Sequence, residues 1–375
     1  MLRRSIILAL ALLVLVGAAS YGAEEIKIGL ITSTTGDTAT FGISVRNAAL
    51  LWEKQVNARG GILGRQVKIY VEDDKGMPSD AANAALKLIN QTKVPVIIGA
   101  VTSNCTLAAA PIAQANKVPI LTPTSTNVTV TQIGKYVFRS CFLDPLQGQV
   151  MARFAVSTLK ASTAAMLYDV SSDYSMGLAE SFKKQFEALG GKVVASETYS
   201  RGESDFSAQL TKIKRVDPDV LWLPDYYNTV GLITRQARQL GIKKATFIGV
   251  DGWDSSDLVP LAGDSIEGGY FSNHYSAEST RPMAVAFIKA YTDAYKATPD
   301  ALAALAYDGC LVVEDAIRRA GKVDSEAITS ALATTKNVEA VSGVLTLDAD
   351  RNPIKDAVVL QVKGGKFVYV TSVSP

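Results

Sequence analysis

The amino-acid sequence predicts an α/β protein with two doubly wound, three-layer lobes joined by a three-strand hinge. Short apolar runs rich in β-branched residues alternate with segments of helical period, an order that builds a parallel sheet covered by helices on both faces. A break containing Pro and Gly interrupts the alternation at 143–148, after which it begins again. A chain of 375 residues is also longer than one hydrophobic core usually supports, so two lobes are expected.

The first series of predicted elements runs from residue 25 to residue 142. Its opening strand at 25–32 is followed by a loop at 33–42, which is rich in Gly and hydroxyl residues, and by a helix at 43–57. The remaining elements are strands at 66–72, from Pro95, from Val118 and at 136–142, and helices at 79–91 and 107–116. Strand and helix thus alternate as in a parallel sheet.

The second series repeats this alternation between residues 149 and 249. The predicted elements are helices at 149–160, 178–189, 206–215 and 229–240, and strands at 164–169, 192–197, 219–223 and 245–249. Between the first strand and the helix that follows it, 170–177 is expected to be a loop. Two parallel sheets in series imply a cleft in which strand ends from both lobes can meet one ligand.

The C-terminal part of the chain departs from the alternation. Three successive helices are predicted at 281–298, 300–320 and 324–335. Because too few strands separate them to build a third sheet, we expect these helices to cover the first lobe. Two final strands at 356–370 turn at Gly364-Gly365 and pair with one of the sheets.

This arrangement requires the chain to cross between the lobes three times, which forms a hinge. The crossings are expected near 141–145, 270–275 and 345–350. The predicted lobes are 23–143 with 275–346, and 144–274 with 347–375.

Residues 1–22 have the pattern of a cleaved secretory signal peptide. Arg3 and Arg4 precede an apolar run at 5–16, which is too short to span a bilayer comfortably, and small residues follow it. The sequence does not choose between cleavage after Ser20, Gly22 and Ala23. Because no cysteine lies there to carry a lipid, we expect a mature chain that is not membrane-anchored.

Charge and cysteine content give no sign of a nucleic-acid, membrane-surface or zinc site. The chain has 38 Lys and Arg and 36 Asp and Glu, and removal of Arg3 and Arg4 with the signal segment makes the two numbers equal. Cys105, Cys141 and Cys310 lack the spacing of a zinc site or a disulfide framework. We expect buried thiols, although a Cys105–Cys141 bridge stays open because sequence cannot establish its geometry.

The sequence offers little catalytic chemistry. His274 is the only histidine, and we interpret it as a structural residue near a lobe crossing and not as a catalytic base. Nucleophile-elbow, zinc-protease and phosphate-loop motifs are absent from the sequence. Glu72-Asp73-Asp74 reads as a solvated turn, because the further oxygen ligands of a calcium loop are missing. We therefore expect no enzyme, no cofactor and no metal.

Hydroxyl residues follow two neighbouring strands of the first lobe. They are Thr102 and Ser103 after the strand from Pro95, and Thr124, Ser125 and Thr126 after the strand from Val118. Small ligands bind outside the carboxyl ends of strands in open α/β sheets, and unpaired N–H groups at a helix start favour an anion. We expect these five residues to face a small anionic ligand. They could instead serve only as helix caps and turn residues.

Three residues of the second lobe lie at equivalent strand ends. Tyr174, Tyr226 and Asp251 each follow a predicted strand. Ordinary packing would explain either tyrosine alone, and a cap or turn would explain the aspartate. Together with the donors of the first lobe, however, they predict a zwitterionic ligand whose carboxylate and ammonium have separate partners.

Several short segments together match one known family. They are 26–30 (IKIGL) with Thr35-Gly36, 57–64 (NARGGILG), 71–74 (VEDD), 98–103 (IGAVTS), 122–126 (TPTST) and 235–238 (RQAR). Over nearly all of its mature length the chain resembles the leucine/isoleucine/valine-binding proteins of bacterial periplasms. This is the type I solute-binding family that serves ABC importers. The resemblance implies two α/β lobes joined by three strands and closing around an amino acid.

The resemblance also implies roles for the polar residues. Ser103 and Thr126 resemble the residues that hold the ligand α-carboxylate through hydroxyl and backbone N–H groups. The Thr124 carbonyl and the Asp251 carboxylate resemble the partners of the ammonium. The family often has Glu where this chain has Asp251, so the ammonium is expected to sit differently by one methylene.

The aromatic residues acquire roles in the same way. Tyr174 and Tyr226 resemble the residues of the second lobe that close over the ligand, and Phe41 resembles a pocket wall. At 302–304 the sequence Leu-Ala-Ala is small where relatives can be aromatic, which leaves the side-chain specificity open.

The expected function is that of the periplasmic substrate-binding component of an ABC-type amino-acid importer. The ligand is expected to be a branched-chain or other apolar amino acid, bound by hinge closure. The expected partners are that amino acid and the permease subunits of the importer, and the protein is expected to be a monomer. The alternatives are an amide, urea or aromatic carboxylate bound by the same fold, or a ligand sensor instead of a transport protein.

Overall fold

The computed structural model describes residues 24–374. The signal peptide expected at 1–22 lies outside the described residues. Within 24–374, no helix combines the length and the apolar character that crossing a membrane requires.

The first lobe contains a five-stranded parallel sheet. Its strands are β1 (Ile26–Thr32), β2 (Val67–Asp73), β3 (Ile97–Ile98), β4 (Ile120–Thr122) and β5 (Val137–Arg139). Their order is β2-β1-β3-β4-β5, and each neighbouring pair is parallel. β3, β4 and β5 are fully buried, which agrees with the apolar residues that begin each of these strands. The strand order reverses between β1 and β3, the place where doubly wound sheets bind ligands.

Helices connect these strands on both faces of the sheet. They are α1 (Ala39–Ala58), α2 (Pro78–Lys87), which continues as a π-helical turn (Leu88–Thr92), α3 (Ser103–Ala115) and the short α4 (Thr129–Gln132). The buried face of α1 includes Val45, Trp52 and Val56, as its helical spacing of apolar residues requires.

The second lobe contains a seven-stranded mixed sheet. Its strands are β6 (Thr163–Asp169), β7 (Lys192–Tyr199), β8 (Val220–Trp222), β9 (Thr246–Gly249), β10 (Tyr270–Asn273), β13 (Ala357–Lys363) and β14 (Lys366–Val373). The order is β14-β13-β10-β9-β8-β6-β7. The five strands from β10 to β7 are parallel, whereas the C-terminal hairpin β13–β14 joins antiparallel at the edge of β10.

The helices of this lobe alternate with its parallel strands. They are α5 (Asp144–Ser157), α6 (Asp173–Ala188), α7 (Ser207–Val216), α8 (Tyr227–Gln239) and α9 (Leu258–Ala262). This lobe also has a 3₁₀ turn at Asp251–Trp253, which begins two residues after β9, and another at Gly263–Ile266.

The last helices return to the first lobe, as predicted. They are α10 (Pro282–Tyr295), α11 (Ala301–Ala320) and α12 (Ser325–Ala333), followed by a small ribbon of β11 (Val338–Ala340) and β12 (Gly343–Leu345). Both α10 and α11 pack against α1, and α12 packs against α11. The prediction of an α/β fold with parallel sheets in two lobes is therefore confirmed.

The chain passes between the two sheets at three places. It does so between β5 and α5, between β10 and α10, and between β12 and β13. The predicted lobe boundaries at 143, 274 and 346 fall inside these connections and stay predictions.

Two loops expected from their composition are partly helical. α1 begins at Ala39 and α6 at Asp173, so that Phe41 and Tyr174 lie in first helical turns. Gly42 lies inside α1. The position requires glycine because a Cβ there would be 1.9 Å from the carbonyl oxygen of Ser33. Glycine therefore marks a close approach of two backbones here, not a break in the helix.

The three cysteines are unbridged. Cys105, Cys141 and Cys310 are each fully buried, and no disulfide joins them in the described part of the chain. Burial raises the pKa of the Cys105 and Cys141 thiols to about 12, so both stay protonated. The expectation of buried thiols is confirmed, and the Cys105–Cys141 bridge is not present.

Candidate functional site

A cavity with about 350 Å³ of empty space lies between the two lobes, beside the carboxyl ends of strands from both sheets. Seven residues expected at the site line it: Phe41, Thr102, Ser103 and Thr124 from the first lobe and Tyr174, Tyr226 and Asp251 from the second. Five residues without an expected role also line it: Val101, Gly252, His274, Leu302 and Leu305. Each expected residue except Phe41 lies within five residues of the carboxyl end of a strand. Because the carboxyl ends of parallel strands lie at the same edge of a sheet, these residues meet at the cleft.

The Asp251 carboxylate is the centre of a buried hydrogen-bond network. Its Oδ1 accepts from Gln147 Nε2 at 2.9 Å and from the Tyr174 hydroxyl at 2.5 Å. Its Oδ2 lies 2.8 Å from His274 Nε2. Asp251 is only 6% exposed, so these donors replace the water that the carboxylate would otherwise keep.

The orientation of the Gln147 amide follows from its other contacts. Its Oε1 accepts from the Asp251 backbone N–H at 3.0 Å and from the Ser272 hydroxyl at 2.9 Å. Its Nε2 must therefore face the Asp251 carboxylate. The Tyr174 hydroxyl is held in a similar way, because it accepts from the Gly252 N–H at 3.1 Å.

The aromatic residues form one continuous wall. The rings of Tyr174 and Tyr226 stack at 4.9 Å with an interplanar angle of 9°. The rings of Phe41, from the first lobe, and Tyr226 are nearly perpendicular, with their centroids 5.7 Å apart. Gly252 leaves room for this wall, because a Cβ there would be 2.9 Å from the Tyr174 hydroxyl and 3.1 Å from the Tyr226 ring. The wall gives one side of the cavity an apolar surface.

The first lobe contributes a helix start and hydroxyl groups. Ser103 is the first residue of α3, whose opening N–H groups have no partner within the helix. The Ser103 hydroxyl oxygen accepts from the Asn127 N–H at 3.3 Å, which leaves its hydrogen available. The Thr124 hydroxyl donates to the Val101 carbonyl at 2.6 Å. This side of the cavity therefore presents donors and the partial positive charge of a helix N-terminus.

Two expected residues do not line the cavity. The Ser125 hydroxyl is 2.7 Å from the Thr106 hydroxyl, and its N–H donates to Thr122 Oγ1 at 3.0 Å, so its polar groups serve the loop itself. For Ser125 these contacts favour the alternative interpretation as a turn residue. Thr126 is fully buried, and its hydroxyl has no hydrogen-bond partner among residues 24–374.

A buried arginine fixes the loop that carries these residues. Arg139 donates to the Ser125 carbonyl at 2.7 Å and to the Asn127 carbonyl at 2.8 Å. Asp144, at the start of α5, donates its N–H to the Thr126 carbonyl at 3.0 Å. Burial raises the pKa of the Asp144 carboxyl to about 8, and the charge of Asp251 adds to the shift.

The cavity thus has donors and a helix start in one lobe, a carboxylate in the other, and apolar walls. A sequence model described as periplasmic binding protein matches residues 25–366. The chain belongs to the periplasmic binding protein family. It is 33% identical over 329 residues to a leucine-, isoleucine-, valine-, threonine- and alanine-binding protein of Pseudomonas aeruginosa, which covers 86% of each chain.

Solved structures of this binding-protein family resemble the chain closely. A leucine-binding protein from Thermotoga maritima has a TM-score of 0.89 and 39% identity, and the match covers 93% of this chain and 99% of the other. A branched-chain amino acid transporter substrate-binding protein from Streptococcus pneumoniae, in complex with isoleucine, also has a TM-score of 0.89, with 34% identity and coverage of 94% and 100%.

The two lobes of this binding protein are in contact across the cleft. Asn127 Nδ2 donates to the Asp173 carbonyl at 2.8 Å, and the Arg201 guanidinium donates to the Gly76 carbonyl at 3.0 Å. On the other side, the Thr40 hydroxyl donates to Asp257 Oδ2 at 2.8 Å. These bonds join elements of different sheets and hold the cleft closed over the cavity.

Sequence reasoning missed two residues of the Asp251 network. Gln147 lies in the segment read as a break between the lobes, and nothing in its sequence context points to the cavity. The sequence predicts a structural role for His274, although it lies beside the Asp251 carboxylate and lines the cavity. Its predicted place near a lobe crossing was the available signal, because the chain passes between the two sheets there.

The site shows no arrangement for holding a metal. Within 24–374, no group of three or more His, Cys, Asp or Glu residues converges as metal ligands would. The Asp251 carboxylate is surrounded by neutral donors instead. The arrangement is suited to binding a small molecule that brings its own positive charge to the carboxylate.

Proposed function

We propose that the protein binds a branched-chain or other apolar amino acid in the cavity between its lobes. The observation that carries the proposal is that Asp251 of one lobe and Ser103, at the start of α3 of the other, line the same cavity. An amino acid supplies an ammonium for the first and a carboxylate for the second. The relatives named for leucine, isoleucine and valine support the same class of ligand.

The walls of the cavity support an aliphatic side chain. Val101, Leu302 and Leu305 of the first lobe line the same cavity as the Tyr174–Tyr226 pair, and none of these groups offers a charge to a polar side chain. Ligand pockets of this kind are lined mainly by apolar and aromatic groups with a few polar ones.

The ligand roles expected for individual residues belong to this proposal. Ser103 and the α3 start receive the ligand carboxylate, and the resemblance to the family gives Thr126 the same role, although Thr126 does not line the cavity in this structure. The Thr124 carbonyl and the Asp251 carboxylate receive the ammonium. Tyr226 and Phe41 cover the ligand from opposite lobes.

We infer the biological role from the family. The protein acts in the periplasm, after cleavage of its signal peptide, as the unanchored, monomeric substrate-binding component of an ABC-type importer. It passes the amino acid to the permease subunits and catalyses no reaction. A sensor with the same ligand would share the site, and neighbouring genes for an ATPase and permeases would distinguish transport from sensing.

The alternative ligands lack an ammonium. An amide, urea or aromatic carboxylate would leave Asp251 buried without a cationic partner, which costs free energy that these ligands cannot recover. Asp251 therefore favours an amino acid over each of them.

A thermal-shift screen tests the proposed ligand class. Because a ligand that binds only the folded state stabilises it, by about 2.7 kcal/mol at a hundred times Kd, leucine, isoleucine or valine should raise Tm. Benzoate, urea and acetamide at the same concentrations serve as comparisons and should leave Tm unchanged. A shift with benzoate or acetamide and none with the amino acids would reject the proposal.

A further inference from the structure

We propose that His274 is a positioning residue that aims the Asp251 carboxylate at the ligand ammonium and makes ligand affinity fall in acid. This inference rests on the proposed function. His274 is the only histidine in the chain and is 3% exposed, and it contributes to the cavity wall.

The number of acceptor sites on the Asp251 carboxylate limits how an ammonium can approach it. A carboxylate has about four lone-pair sites. Gln147 and Tyr174 occupy both sites of Oδ1, and His274 occupies one site of Oδ2. One site on Oδ2 then remains for a ligand, so the three protein donors together set the direction from which an ammonium can approach.

The contacts of the two ring nitrogens define the protonation state of the His274 imidazole. A carboxylate oxygen can only accept, so the 2.8 Å contact requires the hydrogen to be on Nε2 of His274. Nδ1 is buried and has no hydrogen-bond partner within residues 24–374, which fits an unprotonated nitrogen. Burial lowers the pKa of His274 below its usual 6.5, and the hydrogen bond to Asp251 opposes the shift only in part. The ring is therefore neutral at neutral pH.

Neighbouring groups hold the His274 ring in place. Phe142 stacks on the imidazole at 3.5 Å between centroids with an interplanar angle of 24°. The backbone N–H of His274 donates to Asn273 Oδ1 at 2.8 Å, which fixes the backbone next to the ring. The ring thus has one position from which it can serve Asp251.

Protonation of His274 would oppose binding of the ligand ammonium. An imidazolium beside Asp251 would supply the positive charge that the ligand ammonium otherwise brings, and it would repel that ammonium. Ligand binding and protonation of His274 therefore oppose each other. As pH falls through the pKa of His274, affinity for an amino acid decreases, and by reciprocity a bound amino acid lowers that pKa further.

Other charged groups around the pair must be separated from this effect. Lys355 faces His274 and disfavours its protonation. Asp144, Asp254 and Cys141 face Asp251, and burial raises the pKa of Asp144 to about 8 and that of Asp254 to about 6. Because these carboxyls titrate in the same range, a pH profile of binding alone would not identify His274.

Ring ¹⁵N NMR identifies it directly, because a tag-free protein contains a single histidine. With ¹⁵N-histidine labelling, the free protein should show the neutral Nε2–H tautomer at about pH 7.5 and protonation only below about 6.5. Saturating leucine should move the titration to lower pH. A proton on Nδ1, or a titration that leucine leaves in place, would overturn the inference.

Calorimetry with variants provides the second readout. His274→Phe keeps an aromatic ring against Phe142 but removes the donor, and it should weaken leucine binding at about pH 8 by about tenfold, the value of a hydrogen bond to a charged group. His274→Gln keeps an amide donor that does not titrate, and it should recover most of that loss.

His274→Gln should also lose most of the weakening that the wild type shows between about pH 8 and about pH 5. An acid weakening that is unchanged in His274→Gln would contradict the inference and leave the proposed function standing. A wild-type protein that binds no branched-chain or other apolar amino acid would reject the proposed function and the inference with it.

Discussion

We expect ligand binding to depend most on Asp251. It is 6% exposed, and neutral groups of Gln147, Tyr174 and His274 surround it, so a ligand ammonium would be its cationic partner in the cavity. Asp251→Ala removes that partner and leaves the ammonium buried without a counter-charge, which costs about 3–5 kcal/mol. Calorimetry with leucine should show Kd raised by at least about a hundredfold.

Asp264→Ala is the matched control for this variant. Asp264 lies in the same lobe and is exposed to solvent, so its removal should leave the Kd for leucine within about twofold. An unchanged Kd in Asp251→Ala would reject the assignment of the ammonium site.

The residues of the site were predictable where they follow a strand end. Asp251 comes two residues after β9 and Ser103 closely follows β3, so the βα rhythm alone placed them at one edge. Gln147 was not predictable, because it reaches Asp251 from a helix of its own lobe across 104 positions of sequence. The sequence does not separate Ser125 from Ser103, because a hydroxyl that serves its own loop has the same local sequence as one that faces a ligand.

Among the elements, the helix starts were the least predictable. α1 and α6 begin earlier than the sequence predicts, because Gly42 and Gly177 are typical of loops although both lie inside helices here. α6 starts where the Ser172 hydroxyl accepts from the Ser175 N–H, a cap that a run of serines did not single out.

The connections between the lobes are held by a buried ion pair. Lys355 Nζ lies 3.9 Å from Asp308 Oδ2, and the two side chains are 2% and 0% exposed. Lys355 also donates to the Ser140 carbonyl at 3.2 Å and to the Ser342 hydroxyl. The Asp308 carboxylate accepts from the Val341 N–H at 2.6 Å. This cluster joins two of the three lobe connections to α11.

Replacing one partner of this pair should destabilise the fold. Lys355→Met leaves Asp308 buried without its cation, and burial already raises the pKa of that carboxyl. The free energy of unfolding from urea denaturation should fall by about 3 kcal/mol. Adding Asp308→Asn should recover part of that loss, since the double variant has no unpaired charge. A single variant as stable as the wild type would show that the cation does not hold the connections.

At the scale of the whole molecule, the structure has the geometry of a clamp in its closed form. Arg201 and Asn127 make bonds that link the lobes, and Phe41 meets Tyr226 across the cavity. A ligand that touches both lobes only in the closed form would add to its stabilisation. The two-lobe plan was predictable because each sheet repeats one alternation, whereas the closed state depends on contacts between residues far apart in sequence.

The measurement that tests this account most directly is calorimetry with leucine and with the two molecules that each lack one of its charges. 4-Methylpentanoate lacks the ammonium, and 3-methylbutylamine lacks the carboxylate. If each lobe holds one charge of a zwitterion, both analogues should bind at least about a hundredfold more weakly than leucine. If either analogue binds within about threefold of leucine, the claim that the two lobes divide the charges of one ligand is contradicted.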